Sequence, residues 1–317
     1  MRIRVLGSSA GGGFPQWNCN CRNCSGVRGG TIRARPRTQS SIAVTAGPAT
    51  APRTNPLASA RGWALVNASP DILYQLHQCP ELQPARAVRD TAIAAIVLVD
   101  GQVDHTAGLL MLREAGRPWP LWCTDPVYAD LMNTNPILRV LQHYCGTERR
   151  SMPTDGTPFV LDSIPNLSWQ ALCVTGKAAP YSAHRLAPVP GDNVALLIAD
   201  AYSGGTALYA PGLATIDAPL WHAMQSASCV LVDGTFWTDE EMLTTGVSAH
   251  RARDLGHLAQ SGEGGMLEWL AQLPSTTRKI LIHINNTNPI LDEDSHERAE
   301  LDHLGVEVAW DGMEICL

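Results

Sequence analysis

Short apolar runs separated by polar turns recur along the whole chain. Many are rich in Val, Ile and Leu, and they are shorter than the span that an amphipathic helix needs, so they predict β-strands. The predicted strands cover residues 3–6, 40–45, 63–67, 93–99, 121–123, 194–199, 207–210, 229–232, 279–284 and 306–309.

Helical patterns lie between many of these strands. Residues 71–77 predict a short helix, and residues 106–114 predict a helix that follows a sharp polar turn. Each sheet has an apolar face to bury and an outer face to cover, so two groups of strands with interspersed helices predict two sheets between helical layers. The fold class is therefore α/β, or α+β.

The length and composition fit one large domain. A chain of 317 residues with 45% hydrophobic content can bury a sizeable core, so we expect a single domain over residues 1–317. Residues 47–62 are rich in Pro, Ala and Thr, which suits a flexible hairpin insertion.

Charge and hydropathy exclude two classes of partner. The formal net charge is -7 and the basic residues are scattered, so no nucleic-acid partner is predicted. No apolar run approaches the ~20 residues of a membrane span. The N-terminal segment lacks the pattern of a secretory signal, so a cytoplasmic protein is expected. The oligomeric state stays open, with a homodimer as one option.

Three cysteines lie within six residues of sequence, at Cys19, Cys21 and Cys24. Thiolates at this spacing can converge on one Zn²⁺, which would stabilise a loop that has few apolar residues to bury. The alternative is three unligated, reactive loop thiols. A structural zinc site needs a fourth ligand, for which the candidates are His283, Asn286 and, less favoured, Cys316.

A second group of candidate ligands lies at the ends of apolar segments. Asp104 and His105 follow the predicted strand 93–99, and the other members are Asp233, His257 and His283. Two or three histidines with one or two carboxylates suit non-haem Fe²⁺ or catalytic Zn²⁺. Each residue also has a structural alternative, because aspartates cap helices and buried histidines bond to carbonyl groups.

Several blocks of sequence resemble one known family. Residues 7–21, 37–41, 67–72, 102–106 and 283–291 are similar to the pyrroloquinoline quinone (PQQ) biosynthesis protein B family of the metallo-β-lactamase superfamily. The resemblance implies a four-layer αββα sandwich. It also implies a role in making PQQ from a Glu and a Tyr of a precursor peptide, as an iron-dependent hydroxylase or as a carrier of PQQ or its precursor to the periplasm.

The superfamily motif HxHxDH is only half present. Asp100 and Gln102 replace its two leading histidines, whereas Asp104 and His105 remain. Gly212 stands where a bridging aspartate is expected, and residues 174–177 lack the usual histidine. The resemblance therefore disfavours a two-metal hydrolase, which would need a second metal site.

These observations give one leading hypothesis. We expect an oxidoreductase in which Fe²⁺ and O₂ hydroxylate the tyrosine-derived ring of a Glu-Tyr precursor, with other PQQ biosynthesis proteins as possible partners. Asp104, His105 and His283 are the predicted active-site ligands, and Asp233 and His257 complete the catalytic set. The residues predicted to shape the substrate pocket are Gly11, Gly12, Trp17, Tyr181 and Ser182.

Overall fold

Two seven-stranded sheets lie at the centre of the computed structural model, which describes residues 1–47 and 62–317. The strand order is β14-β1-β2-β3-β4-β5-β6 in the first sheet and β13-β12-β11-β10-β9-β8-β7 in the second. In chain order the strands are β1 Arg2–Gly7, β2 Ser41–Thr45, β3 Trp63–Val66, β4 Ile93–Val97, β5 Trp119–Cys123, β6 Thr147–Ser151, β7 Phe159–Val160, β8 Leu167–Cys173, β9 Val194–Asp200, β10 Thr206–Ala210, β11 Cys229–Asp233, β12 Arg278–Ile282, β13 Val306–Val308 and β14 Glu314–Cys316.

Helices cover the outer faces of both sheets. They are α1 Arg22–Gly29, α2 Ile72–Gln78, α3 Val103–Thr106, α4 Asp125–Asn133, α5 Ile137–Leu141, α6 Ala218–Ser226, α7 Glu241–Thr244, α8 Ala252–Leu255, α9 Met266–Ala271 and α10 His296–Leu304, with 3₁₀ turns at Pro80–Leu82, Ala107–Leu112 and Pro289–Leu291. Both sheets contribute to one apolar cluster between them, which includes Ile42 and Trp169. Two further clusters join the outer faces to α6 and α9 and to α2 and α4. The predicted α/β sandwich is confirmed.

The prediction of an α-helix over residues 106–114 is wrong, because most of this segment is a 3₁₀ helix. The chain forms the single turn α3 and then a 3₁₀ segment, Ala107–Leu112. The carbonyl of His105 accepts a hydrogen bond from the amide of Ala68, and the amide of Gly108 donates to the carbonyl of Ala68. These long-range bonds replace the regular helical ladder.

Four strands, β6, β7, β8 and β14, are absent from the predicted set. The strands β6 and β7 are at the sheet edges, where β6 has the polar sequence TERRS. Edge strands bury only part of their surface and therefore lack a continuous apolar run. The predicted hairpin insertion at 47–62 lies outside the described residues except at its two ends.

Loop contacts connect the two sheets along one edge. Ser9, directly after β1, forms bridges to Gln39 and to Ile284, which follows β12. Asp100, after β4, forms a bridge to Asn193, directly before β9. Because β10, β11 and β12 are parallel, their carboxyl ends meet at this edge, where loop residues are held by both sheets.

No helix in the described part of the chain is long and apolar enough to cross a bilayer.

Candidate metal centres and the adjoining cavity

The three clustered cysteines converge at the start of α1. Their sulfur atoms all lie within 4.8 Å of one another. The Cys21 sulfur also caps α1, because it accepts a hydrogen bond of 3.5 Å from the amide of Cys24. Burial raises the pKa of the Cys24 thiol to about 12. A bound cation would convert such thiols to thiolates, so this geometry suits a closed zinc site.

Asn286 is the proposed fourth ligand that reaches these thiols. Its side-chain nitrogen lies 3.1, 3.6 and 3.4 Å from the sulfurs of Cys19, Cys21 and Cys24. A half-turn of the amide would direct its oxygen to the same point. The other two candidates lie elsewhere: His283 bonds to Thr235 and Asp104, and Cys316 is exposed on β14.

A second cluster forms at the edge where the sheets meet. Donor atoms of Asp104, His105 and His283 lie within 4.8 Å of one another. Asp104 Oδ2 lies 3.2 Å from His283 Nε2 and 3.8 Å from His105 Nε2. His105 Nε2 is buried and has no hydrogen-bond partner among the described residues. A buried nitrogen without a partner, aimed at a carboxylate and a second imidazole, fits a metal ligand.

Hydrogen bonds on the far side of each imidazole orient these histidines. His105 Nδ1 lies 2.9 Å from both carboxylate oxygens of Asp100. His283 Nδ1 lies 2.9 Å from the hydroxyl of Thr235. With a cation bound, the ring proton of each histidine would lie on Nδ1 and the lone pair of Nε2 would face the ion; without a cation, a protonated His283 Nε2 can donate to Asp104. Sequence reasoning missed this role of Asp100 and Thr235, although the substitution of Asp for the first motif histidine was a visible signal.

The predicted residues Asp233, His257 and His283 form a third group whose donor atoms lie within 4.8 Å of one another, but the Asp233 carboxylate already has several hydrogen-bond partners in the protein. Its Oδ1 accepts from the amide and hydroxyl of Thr235 at 2.9 and 2.6 Å. Its Oδ2 accepts from the Leu213 amide at 3.0 Å and lies 2.7 Å from His257 Nδ1. The carboxylate therefore orients His257 and leaves His257 Nε2 as the open atom of that ring.

The charges of the second cluster depend on one another. Burial by itself would lower the pKa of His105, but the carboxylates of Asp100 and Asp104 raise it to about 9. Burial would raise the pKa of Asp104, but the charge of His105 and the hydrogen bond from His283 hold it well below its usual value. The cluster thus stabilises positive charge at its centre, and a divalent cation could replace the proton that His105 otherwise holds.

His283 has a backbone conformation that is rare for its residue type. Its φ is +62°, in the left-handed region. Residues other than glycine adopt this conformation at a free-energy cost on the order of 1 kcal/mol. The hydroxyl of Thr235 is 2.9 Å from the His283 carbonyl oxygen and thereby supports this turn. The strained backbone brings the imidazole out of the line of β12 and toward Asp104.

A cavity of about 270 Å³ opens onto the second cluster. The cluster side chains share its wall with His257, Gln102, Lys177, Arg185, Phe236 and Asn285. Among the described residues that line it, Asp100 and Asp104 are the acidic ones, and Lys177 and Arg185 are the basic ones. The sequence pattern does not predict that Lys177 and Arg185 line the cavity, because residues 174–177 differ from the superfamily pattern visibly only by the absence of a histidine.

The predicted pocket residues are only partly at this cavity. Gly11 lines it, whereas Gly12, Trp17, Tyr181 and Ser182 do not. Trp17 is 86% exposed, and the Tyr181 hydroxyl donates to the carbonyl of Gly101. Ser182 is buried and its hydroxyl accepts from the amide of His184. Tyr181 and Ser182 thus fix the loop behind the cavity wall.

Comparisons with known proteins identify the family of the chain. Residues 62–284 match the family model of the β-lactamase superfamily domain. Coenzyme PQQ synthesis protein B of Azoarcus sp. (strain BH72) is 58% identical over 317 residues and is covered completely, as is this chain. The protein of the same name from Pseudomonas paraeruginosa is 55% identical, again with 100% coverage of both chains.

A solved structure is similar over the same length. The crystal structure of Zn²⁺-bound PqqB from Methylobacterium extorquens has a TM-score of 0.87 and 35% identity, and the match covers 100% of both chains. Full-length matches at these identities decide the family. The chain belongs to the coenzyme PQQ synthesis protein B family, within the β-lactamase superfamily.

Proposed function

We propose that this protein catalyses an oxidative step in PQQ biosynthesis, in which Fe²⁺ and O₂ hydroxylate the tyrosine-derived ring of a Glu-Tyr precursor. The observation that carries the proposal is the set Asp104, His105 and His283, whose donor atoms lie within 4.8 Å of one another. Two histidines and one carboxylate with open positions are typical of non-haem Fe²⁺ oxygenases. Iron held there would supply the oxygen-activating chemistry.

The remaining residues of the cavity have roles that follow from their contacts. Asp100 and Thr235 hold the ligand imidazoles in place through Nδ1. Although burial opposes protonation, Asp233 raises the pKa of His257 above its usual value. His257 Nε2 is then suited to accept a proton from the phenol of the substrate.

The loss of half the metal motif argues against a hydrolase of the two-metal type. The two leading positions of HxHxDH hold Asp100 and Gln102, and Asp100 bonds to His105. Gly212 faces the ring of His257, where a carboxylate would be required to bridge two ions. The donor atoms of Asp233, His257 and His283 also lie within 4.8 Å of one another, but without a bridging carboxylate this group and the Asp104 group do not reproduce a two-metal hydrolase site.

Oxygen uptake tests the proposal directly. Protein purified without oxygen, loaded with Fe²⁺ and supplied with a chemical reductant should consume O₂ when a Glu-Tyr or DOPA-like substrate is added, and a hydroxylated product should form. His105→Ala should abolish both signals because it removes a ligand. His143→Ala, on the exposed face of another region, is the matched control and should retain them.

Two results would contradict the proposal. Equal turnover by His105→Ala and the wild type would remove the site assignment. Tight binding of PQQ without turnover under any metal would instead favour the carrier function.

A further inference from the structure

One loop brings two cations to the cavity wall. The segment between β8 and β9 carries Lys177 and Arg185, and both line the cavity. Within residues 1–47 and 62–317, neither side chain has a carboxylate at ion-pair distance, and the Arg185 guanidinium bonds only to the carbonyl of Ala178, at 2.5 Å. Both side chains are only partly buried, so their charged groups are available to pair with an anionic ligand in the cavity.

The two acids of the cavity do not supply a counter-charge to Lys177 or Arg185. Asp100 is bonded to His105, and Asp104 faces His105 and His283. A divalent ion among these ligands would neutralise both carboxylates. The cavity then has a net positive charge from Lys177 and Arg185, although the net charge of the whole protein is -7. A positively charged cavity favours the binding of anionic groups.

Lys177 lies next to one of the positions at which the metal motif has lost a histidine. The Lys177 carbonyl accepts a hydrogen bond of 3.1 Å from Gln102, which replaces the second histidine of the motif. The Lys177 stem also packs against Gly256, the residue before His257. The backbone of Lys177 is thus held beside Gln102 and Gly256, and its side chain lines the cavity.

We propose that Lys177 and Arg185 form an anion-binding subsite that receives a carboxylate of the substrate and so orients its ring toward Asp104, His105 and His283. This inference rests on the proposed function and defines the substrate class as an amino-acid-derived phenol or catechol with a free carboxylate. Arg and Lys are the side chains that bind carboxylates most strongly, and their hydrogen bonds to an ionised group are stronger than neutral ones.

Equilibrium binding of DOPA and dopamine tests the subsite without turnover. The two probes share a catechol and an amine, and only DOPA has a carboxylate. With protein loaded with Zn²⁺, which has no redox chemistry, calorimetry should show that the wild type binds DOPA at least about tenfold more tightly than dopamine. Lys177→Gln and Arg185→Gln should each reduce this preference, and the double variant should remove it with little change in dopamine affinity.

Matched variants distinguish the loss of the subsite from a change in the overall charge and from misfolding. Arg117→Gln removes one exposed positive charge elsewhere and should keep the full preference. Lys177→Arg and Arg185→Lys keep the charge and should keep most of the preference for DOPA. They show whether a loss of preference in the glutamine variants comes from the lost charge or from misfolding. An undiminished preference in the double variant, or equal or undetectable binding of both probes by the wild type, would overturn the subsite. Preference without oxygen uptake by the iron-loaded protein would leave the subsite intact and overturn only the oxygenase.

Discussion

The two ring nitrogens of His105 have different surroundings, and this difference defines the site at the scale of single residues. Nδ1 faces the carboxylate of Asp100, and Nε2 is buried without a partner among the described residues. A carboxylate at this position fixes the ring and increases the basicity of Nε2. The residue that replaced a motif histidine would therefore support a metal ion bound at Nε2 of His105.

Asp100→Asn tests this role. An amide cannot provide the same negative charge to the Nδ1 proton, so Fe²⁺ affinity at the active site should fall by roughly 10–100-fold. Competition with a chromophoric chelator under anaerobic conditions measures the change. Asp162→Asn, at an exposed carboxylate, should have no effect. Unchanged iron affinity in Asp100→Asn would contradict the assignment.

The left-handed backbone of His283 gives a stability prediction. His283→Gly and His283→Ala both remove the imidazole, but only glycine adopts a φ of +62° without steric cost. We expect the glycine variant to be more stable to denaturant by about 1 kcal/mol. An alanine variant of equal or greater stability would show that the backbone there is not strained.

Sequence alone predicted the residues of the second cluster better than those of the cavity wall. Asp104, His105 and His283 follow apolar strands, and strand ends have a predictable position at the edge of a sheet. Lys177 and Arg185 lie in a loop with no periodic pattern, so only the tertiary structure brings them to the cavity. Trp17 was predicted to be near the substrate from its neighbourhood in sequence, yet its side chain is exposed.

At the scale of elements, the cysteine loop combines a helix start with a metal site. Cys21 is the N-cap of α1, and its sulfur lies near those of Cys19 and Cys24. The loop before α1 contains three consecutive turn residues around Gly12 and four more at residues 15–18 but few apolar ones, so a bound ion would contribute stability that burial cannot. The zinc assignment rests on this spacing and stays a prediction.

Cys21→Ser separates the two roles, because serine is itself a good N-cap. We expect loss of about one zinc per chain and a fall in melting temperature of roughly 5 °C, corresponding to about 2 kcal/mol. Metal analysis and thermal unfolding give the two values. Cys316→Ser is the control and should retain zinc. Equal zinc content in Cys21→Ser and the wild type would contradict the site.

The central strands were predictable and the edge strands were not. Buried strands such as β4 and β11 have continuous apolar runs, which give a clear signal. In β8 the buried and half-buried positions alternate, and in β6 no residue is fully buried, so neither strand has such a run. The 3₁₀ segment after α3 depends on bonds to Ala68, which no local pattern reveals.

At the scale of the whole molecule, a buried carboxyl group lies between the two candidate metal sites. Glu241 accepts hydrogen bonds from Thr287, which follows Asn286, and from the amide of Trp237. The adjacent Met242 lines the cavity. Burial raises the pKa of Glu241 to about 7, so ionisation of this group should weaken the packing between the centres. That the whole chain is one domain stays a prediction.

This raised pKa predicts a pH dependence. The ordinary pKa of a glutamate, about 4.5, lies below the folded value of about 7, so the folded state binds the additional proton between these pH values. Stability from this group should therefore be lost as pH rises from 5 to 8, by up to about 3 kcal/mol. Denaturant unfolding should show this loss in the wild type and much less of it in Glu241→Gln. Parallel pH profiles for the two proteins would contradict the prediction.

We expect one open iron site between Asp104, His105 and His283, separate from a zinc site at the cysteines. Crystals of Fe²⁺-loaded protein grown without oxygen allow anomalous diffraction to be recorded on both sides of the iron edge and of the zinc edge. The maps should show an iron peak bounded by these three side chains and a zinc peak among Cys19, Cys21 and Cys24. Iron that is absent from the three side chains, or bound only at the cysteines, would contradict this expectation.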